Sequence, residues 1–124
     1  MDKRTTIKTV KEIGRQVDWS NPENKRLIKA ILALRNENEA ERFLRDLMTE
    51  SEIKEFADRL EAASLLLKNV QYNAIEESVK LSSATVARIA KWLYGPLGGY
   101  RLILNRINHP NNPSKLRKGL SLSS

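Results

Sequence analysis

Thr49-Glu50-Ser51-Glu52 has the spacing of a capping box, in which the threonine hydroxyl accepts from the amide of Glu52 while that glutamate reaches back to the threonine amide. Ile53, Phe56, Ala57, Leu60, Ala63, Leu66 and Leu67 come next at spacings of three and four and predict a helix to about Lys68. A helix with so broad an apolar face needs other elements to cover it. The rest of the chain offers them in shorter pieces of the same period. Ile7, Val10, Ile13 and Val17 mark a first short helix, weakened by Gly14. Asn21-Pro22-Glu23 reads as a cap, a proline at the first helical position and an acid in the first turn. It opens a helix of about Pro22 to Arg35, with Leu27, Ile28, Ile31, Leu32 and Leu34 as its apolar stripe. Asn36 caps a third helix over about 37–48, lined by Ala40, Phe43, Leu44 and Leu47. The expectation is an all-α fold.

Downstream, Gln71 to Val79 reads as a short helix with Ile75 and Val79 inward, Lys80-Leu81-Ser82 as a turn, and Ser83 to Leu93 as a second short helix. Two short helices joined this tightly form a helix-turn-helix. Gly95-Pro96-Leu97-Gly98-Gly99 stops the second one abruptly. Tyr100 to Ile107 is then a last helix, with Leu102, Ile103, Leu104 and Ile107 available to close the core. From His109 to Ser124 the chain is rich in Pro, Asn and Ser without apolar periodicity, and disorder is expected. The organisation read from this is an N-terminal helical extension over 1–20, a helix-turn-helix domain over 21–107 and a basic tail over 108–124.

A chain of 124 residues holds one modest core. It has no cysteine, which removes disulfides, thiolate catalysis and cysteine-ligated metal, and its single histidine, His109, is a solvated loop residue rather than part of a metal cluster. Met1 to Thr6 lack the apolar region of a signal peptide, and no apolar run approaches the roughly 20 residues of a membrane span. The expectation is a cytoplasmic protein with no membrane partner. The sequence contains no nucleophile–base pair, paired carboxylates or Gly-rich phosphate loop; Gly95 to Gly99 comes after a helix and lacks the lysine of such a loop. An enzyme is not expected.

The net charge is +7, unevenly spread: residues 49–67 hold two cations against five acids, and residues 95–124 hold five cations and no acid. An acidic centre followed by a basic C-terminal region suits a scaffold whose later elements meet phosphates. Ser82 to Lys91 has what a recognition helix needs. Ser82 serves as cap, while Ser83, Ala84 and Ala87 are small enough to let the helix axis approach the bases. Val86, Ile89 and Leu93 fall inward, and Asn73, Lys80, Ser82 and Lys91 face phosphates. Arg88 is open to either DNA or a ligand pocket. The alternative is a plain αα-hairpin serving a dimeric module that binds a protein; Glu76 and Glu77, acids beside the reading helix, favour it. Lys80 also stands where such turns take a left-handed backbone, at a cost on the order of 1 kcal/mol for a non-glycine residue. Trp19 and Trp92 read as core or interface aromatics.

Phe43-Leu44-Arg45-Asp46-Leu47-Met48-Thr49, the helix ending Ala63-Ser64-Leu65-Leu66-Leu67, Tyr72-Asn73-Ala74-Ile75-Glu76-Glu77, Ser83-Ala84-Thr85-Val86-Ala87-Arg88 and Gly98-Gly99-Tyr100-Arg101-Leu102 together resemble the Trp repressor family, in particular its YerC/YecD branch. The resemblance spans roughly residues 25–107. It implies an intertwined homodimer whose paired helix-turn-helix units read half-sites about 34 Å apart on double-stranded DNA, hence a sequence-specific transcriptional regulator. It also implies candidate ligand contacts: members that bind L-tryptophan hold it between two arginines near a threonine, and Thr49, Arg59, Thr85 and Arg88 stand at the matching positions. Two guanidinium forks suit a carboxylate. The chain departs from that pattern at Trp92, where a small polar residue is the rule, and at Asp46, where an apolar contact is. A regulator without tryptophan as corepressor and without a cofactor is the resulting reading. Arg59 and Arg88 are then expected in ion pairs with acids such as Asp58, Glu61 or Glu77.

Overall fold

A computed structural model describes residues 16–109, and no strand occurs among them. Six helices occur in order: α1 (Pro22–Leu32), α2 (Glu37–Leu47), α3 (Glu50–Leu67), α4 (Tyr72–Val79), α5 (Ser83–Leu93) and α6 (Gly99–Asn108). The expected tail beyond His109 and, of the expected first helix, Ile7, Val10 and Ile13 lie outside the described residues; its last member, Val17, is described, belongs to no helix and is 51% exposed. The chain divides into two compact units at Leu44 and Arg45.

In the first unit, the Asn21 carboxamide oxygen accepts from the Asn24 amide at 3.0 Å, and Pro22 starts α1. The helix ends at Leu32, earlier than the apolar stripe predicts. The reason is the start of the next helix. The Asn36 side chain accepts from the Glu39 amide at 2.9 Å, and Glu39 reaches back to accept from the Arg35 amide at 2.9 Å. These bonds hold residues 35 and 36 in a cap that continued helix would break. Neither α1 nor α2 buries a residue, and Leu27, Ile28, Ile31 and Leu32 stay 38–77% exposed. Trp19, expected at a core or interface, is exposed and lines an open cleft with Lys25, Ile28 and Lys29.

The second unit contains the core. Its capping box forms as the spacing predicts: Thr49 Oγ1 accepts from the Glu52 amide at 3.1 Å, and Glu52 Oε1 accepts from the Thr49 amide at 2.9 Å. The C-terminal half of α3 buries Ala62, Ala63 and Leu66 against Ile75 and Val79 of α4, Val86, Ile89, Ala90 and Leu93 of α5, and Leu104 of α6. Two alanines at the centre let neighbouring helices approach closely, and Ile75, Val86 and Leu93 fill the space fully buried. Burial of each such side chain is worth about 1.5–3 kcal/mol. α3 closes in a Schellman motif: Val70 N–H donates to the Leu65 carbonyl at 3.1 Å and Asn69 N–H to Leu66 at 2.9 Å, with Asn69 left-handed at φ 64°. Of the four α6 residues expected to close the core, Leu104 alone does so; Leu102, Ile103 and Ile107 are 43–53% exposed. A helix that meets its neighbours along one narrow line buries one stripe, and four residues within six positions cannot all lie on it.

Candidate nucleic-acid interface

The α4–α5 turn is built by three residues. Lys80 takes the left-handed conformation at φ 58°, ψ 40°, as the turn position demands, and reverses the chain after Val79. Leu81 tucks against the core. Ser82 then caps α5, its Oγ accepting from the Thr85 amide at 3.2 Å and donating to Thr85 Oγ1 at 2.9 Å. The sequence dictates this start locally, because an extended serine before a helix satisfies an amide that the first turn leaves open.

α5 has two sharply different faces. Val86 and Leu93 are 0% exposed, with Ile89 and Ala90 buried beside them. Ser83, Ala84, Ala87, Arg88 and Lys91 are exposed on the other side, and Lys80 and Ser82 are exposed in the turn before it. Asn73, at the start of α4, is exposed as well, its carboxamide oxygen accepting from the Ala74 amide at 2.8 Å. Every residue expected to face bases or phosphates is thus solvent-accessible, and the inward set from the same spacing is buried. Arg88 and Lys91 pair with no acid among the described residues, so the ion pair expected for Arg88 is absent there. Glu76 is half-buried and Glu77 exposed on α4.

The four candidate ligand residues are otherwise engaged or apart. Thr49 and Thr85 spend their hydroxyls on helix starts. Arg59 is paired with Glu55 one turn earlier on α3, and its guanidinium lies over the Phe56 ring, 5.4 Å from the centroid. The partner is therefore neither Asp58, Glu61 nor Glu77. Asp58 is held by Lys54 at 2.8 Å, and Glu55 is four residues before Arg59 on the same face. No hydrogen bond joins any two of Thr49, Arg59, Thr85 and Arg88 among the described residues. Trp92 is 37% exposed, at the margin of the core rather than within it. Tyr100 packs against the core with its phenol pushed above the usual tyrosine range by burial, while the nearby Arg59 charge pulls the other way.

One polar contact at this site has no counterpart in the apolar pattern. Arg101 Nη1 donates to the Leu93 carbonyl at 2.6 Å, joining α6 to the end of α5. Its signal in the sequence was a cation in the first turn of a helix, where acids are preferred.

Helices alone, with two short ones joined by a three-residue turn and a core made by the last four, define an all-α, Trp-repressor-like fold. The chain belongs to the Trp repressor family: the family model described as Trp repressor protein matches residues 23–108. It is 34% identical over 88 residues to the uncharacterized protein YerC of Bacillus subtilis (strain 168), across 71% of this chain and 85% of that protein. It is also similar to the crystal structure of a TrpR like protein from Eubacterium eligens ATCC 27750, with a TM-score of 0.67 and 32% identity over 73% of this chain and 93% of that one.

Proposed function

We propose that the protein is a sequence-specific DNA-binding transcriptional regulator that acts as a homodimer, with α4 and α5 as its helix-turn-helix and without tryptophan as corepressor. The observation that carries this reading is the division of α5: a fully buried apolar side, and an open side of Ser83, Ala84 and Ala87 flanked by Lys80, Arg88 and Lys91. Small side chains admit the helix to the major groove, methyl and hydroxyl groups meet base edges, and the cations and Asn73 meet phosphates. Membership of the Trp repressor family supports it.

The homodimer is supported by uncovered apolar surface. Leu27, Ile28, Ile31 and Leu32 of α1, Phe56 and Leu60 of α3 and Leu102, Ile103 and Ile107 of α6 are all at least 37% exposed. A monomer with so many exposed large apolar side chains has a partner surface to bury. In a two-fold pair the α5 helices would read half-sites about 34 Å apart. Engagement of Thr49, Arg59 and Thr85 by their own neighbours supports a corepressor-independent regulator.

A second reading, a dimeric module that binds a protein, draws on Glu76 and Glu77, since acids near phosphates weaken DNA binding. Ser83→Glu and Lys91→Glu separate the two. If α5 reads DNA, each substitution lowers duplex affinity by at least roughly tenfold, and the fold is untouched because both positions are exposed. Duplex binding that survives both substitutions overturns the proposal and leaves the protein-binding module as the better account.

A further inference from the structure

We propose that Arg101 is a positioning residue for α5: its guanidinium clasps the carbonyl at the end of that helix and fixes the direction in which the Ser83–Lys91 face is presented. The inference rests on the proposed DNA-reading role of that face. α5 closes with the Tyr94 amide on the Ala90 carbonyl and the Gly95 amide on the Trp92 carbonyl, and the Leu93 carbonyl receives no backbone donor among the described residues. Arg101 Nη1 supplies the missing donor at 2.6 Å. The bond is charge-assisted, and it sets a cation at the negative end of the α5 dipole.

The placement is unfavourable for the helix that carries it. Arg101 lies in the first turn of α6, which begins at Gly99, so its charge faces the positive end of its own helix. An arginine there is accounted for by what it does for α5. Gly98 eases the approach in two ways. It turns the chain at φ +70°, and a Cβ at this position would stand 3.1 Å from Arg101 Nη2. At the other end of α5, Ser82 caps the first turn through Thr85. The reading helix is thereby fastened at both ends, by a serine hydroxyl at the groove-facing start and by a guanidinium at the far end.

The full-length chain carrying Arg101→Met tests this, with Arg101→Lys as the conservative rescue. Amide exchange in the last turn of α5 is expected to quicken roughly tenfold in Arg101→Met, the loss of one charge-assisted bond, while amides of the α3 core keep their protection. Arg101→Lys, which retains one charged donor, is expected to recover most of it. On duplex DNA, Arg101→Met is expected to lose several-fold in affinity with an unchanged slope of log affinity against log salt, because no phosphate contact has been removed. Unchanged exchange in Arg101→Met overturns the clasp. A slope lowered by about one overturns it as well, since Arg101 would then be a phosphate contact. Should Arg101→Met fail to fold, Arg101→Gln decides, because it keeps a polar side chain while removing the charged donor: quickened exchange confined to the end of α5 supports the clasp, and wild-type exchange refutes it. Wild-type protein that binds no duplex would sink the DNA reading, whereas the exchange measurements would still decide the clasp.

Discussion

The two halves of α3 carry apolar residues at the same spacing and meet opposite fates. Ala62, Ala63 and Leu66 in the second half are at most 5% exposed, whereas Phe56 in the first is 47% exposed. α1 resembles the first half, with an apolar stripe and no buried residue. Periodicity therefore says which face of a helix is apolar and leaves open what covers it. Where α4, α5 and α6 arrive from the same chain, the face becomes core. Where none does, the face stays exposed, and in the proposed homodimer a second copy would cover it.

Substitutions on either side of this division should behave differently. The largest effect is expected in the core: Ile75→Ala removes a fully buried side chain, and should cost about 2–5 kcal/mol in denaturant unfolding. Because those contacts lie within one chain, that loss should not change with protein concentration. Phe56→Ala, in the uncovered half of α3, should instead weaken self-association roughly 30-fold in sedimentation equilibrium, the scale of an aromatic interface anchor. A loss in Phe56→Ala that ignores concentration would show that the uncovered face is not an interface. Lys80→Gly relieves the left-handed lysine, and should stabilise the fold by up to about 1 kcal/mol. The same change should lower duplex affinity through the loss of one cation, so stability and binding move in opposite senses.

The smallest expected effect is an alkaline one at Tyr100. Burial raises its folded-state value, so as pH climbs past about 10 the unfolded chain releases the phenolic proton first. The stability that the neutral phenol contributes is present below that pH and is lost as pH rises through the folded value. Tyr100→Phe should flatten this alkaline decline in thermal unfolding while leaving the curve at neutral pH nearly unchanged.

How much of the structure was legible in the sequence depends on the range of the interaction behind each feature. Helix starts are local, and Asn21, Thr49 and Ser82 cap where their side chains say they should. The inward and outward faces of α5 are equally local, since one helical repeat sets both, and Val86, Ile89 and Leu93 are buried as their spacing implies. Helix ends depend on competition with the next stretch of chain: α1 stops at Leu32 because the Asn36 cap takes over, and α3 stops because Asn69 accepts a left-handed backbone. Contacts between side chains and neighbouring turns or helices were the least legible. Leu104 alone among the α6 apolar residues reaches the core, and Arg101 crosses to Leu93. Each is decided by which groups lie within reach in three dimensions, and apolar spacing within one helix does not specify that.

Affinity for duplex DNA measured across a range of salt concentrations bears most directly on the exposed α5 face. The account predicts binding that weakens steeply with salt, and a slope that falls by about one when Lys91→Gln removes a phosphate contact. Absence of binding at low salt, or binding indifferent to salt and to Lys91, would contradict it.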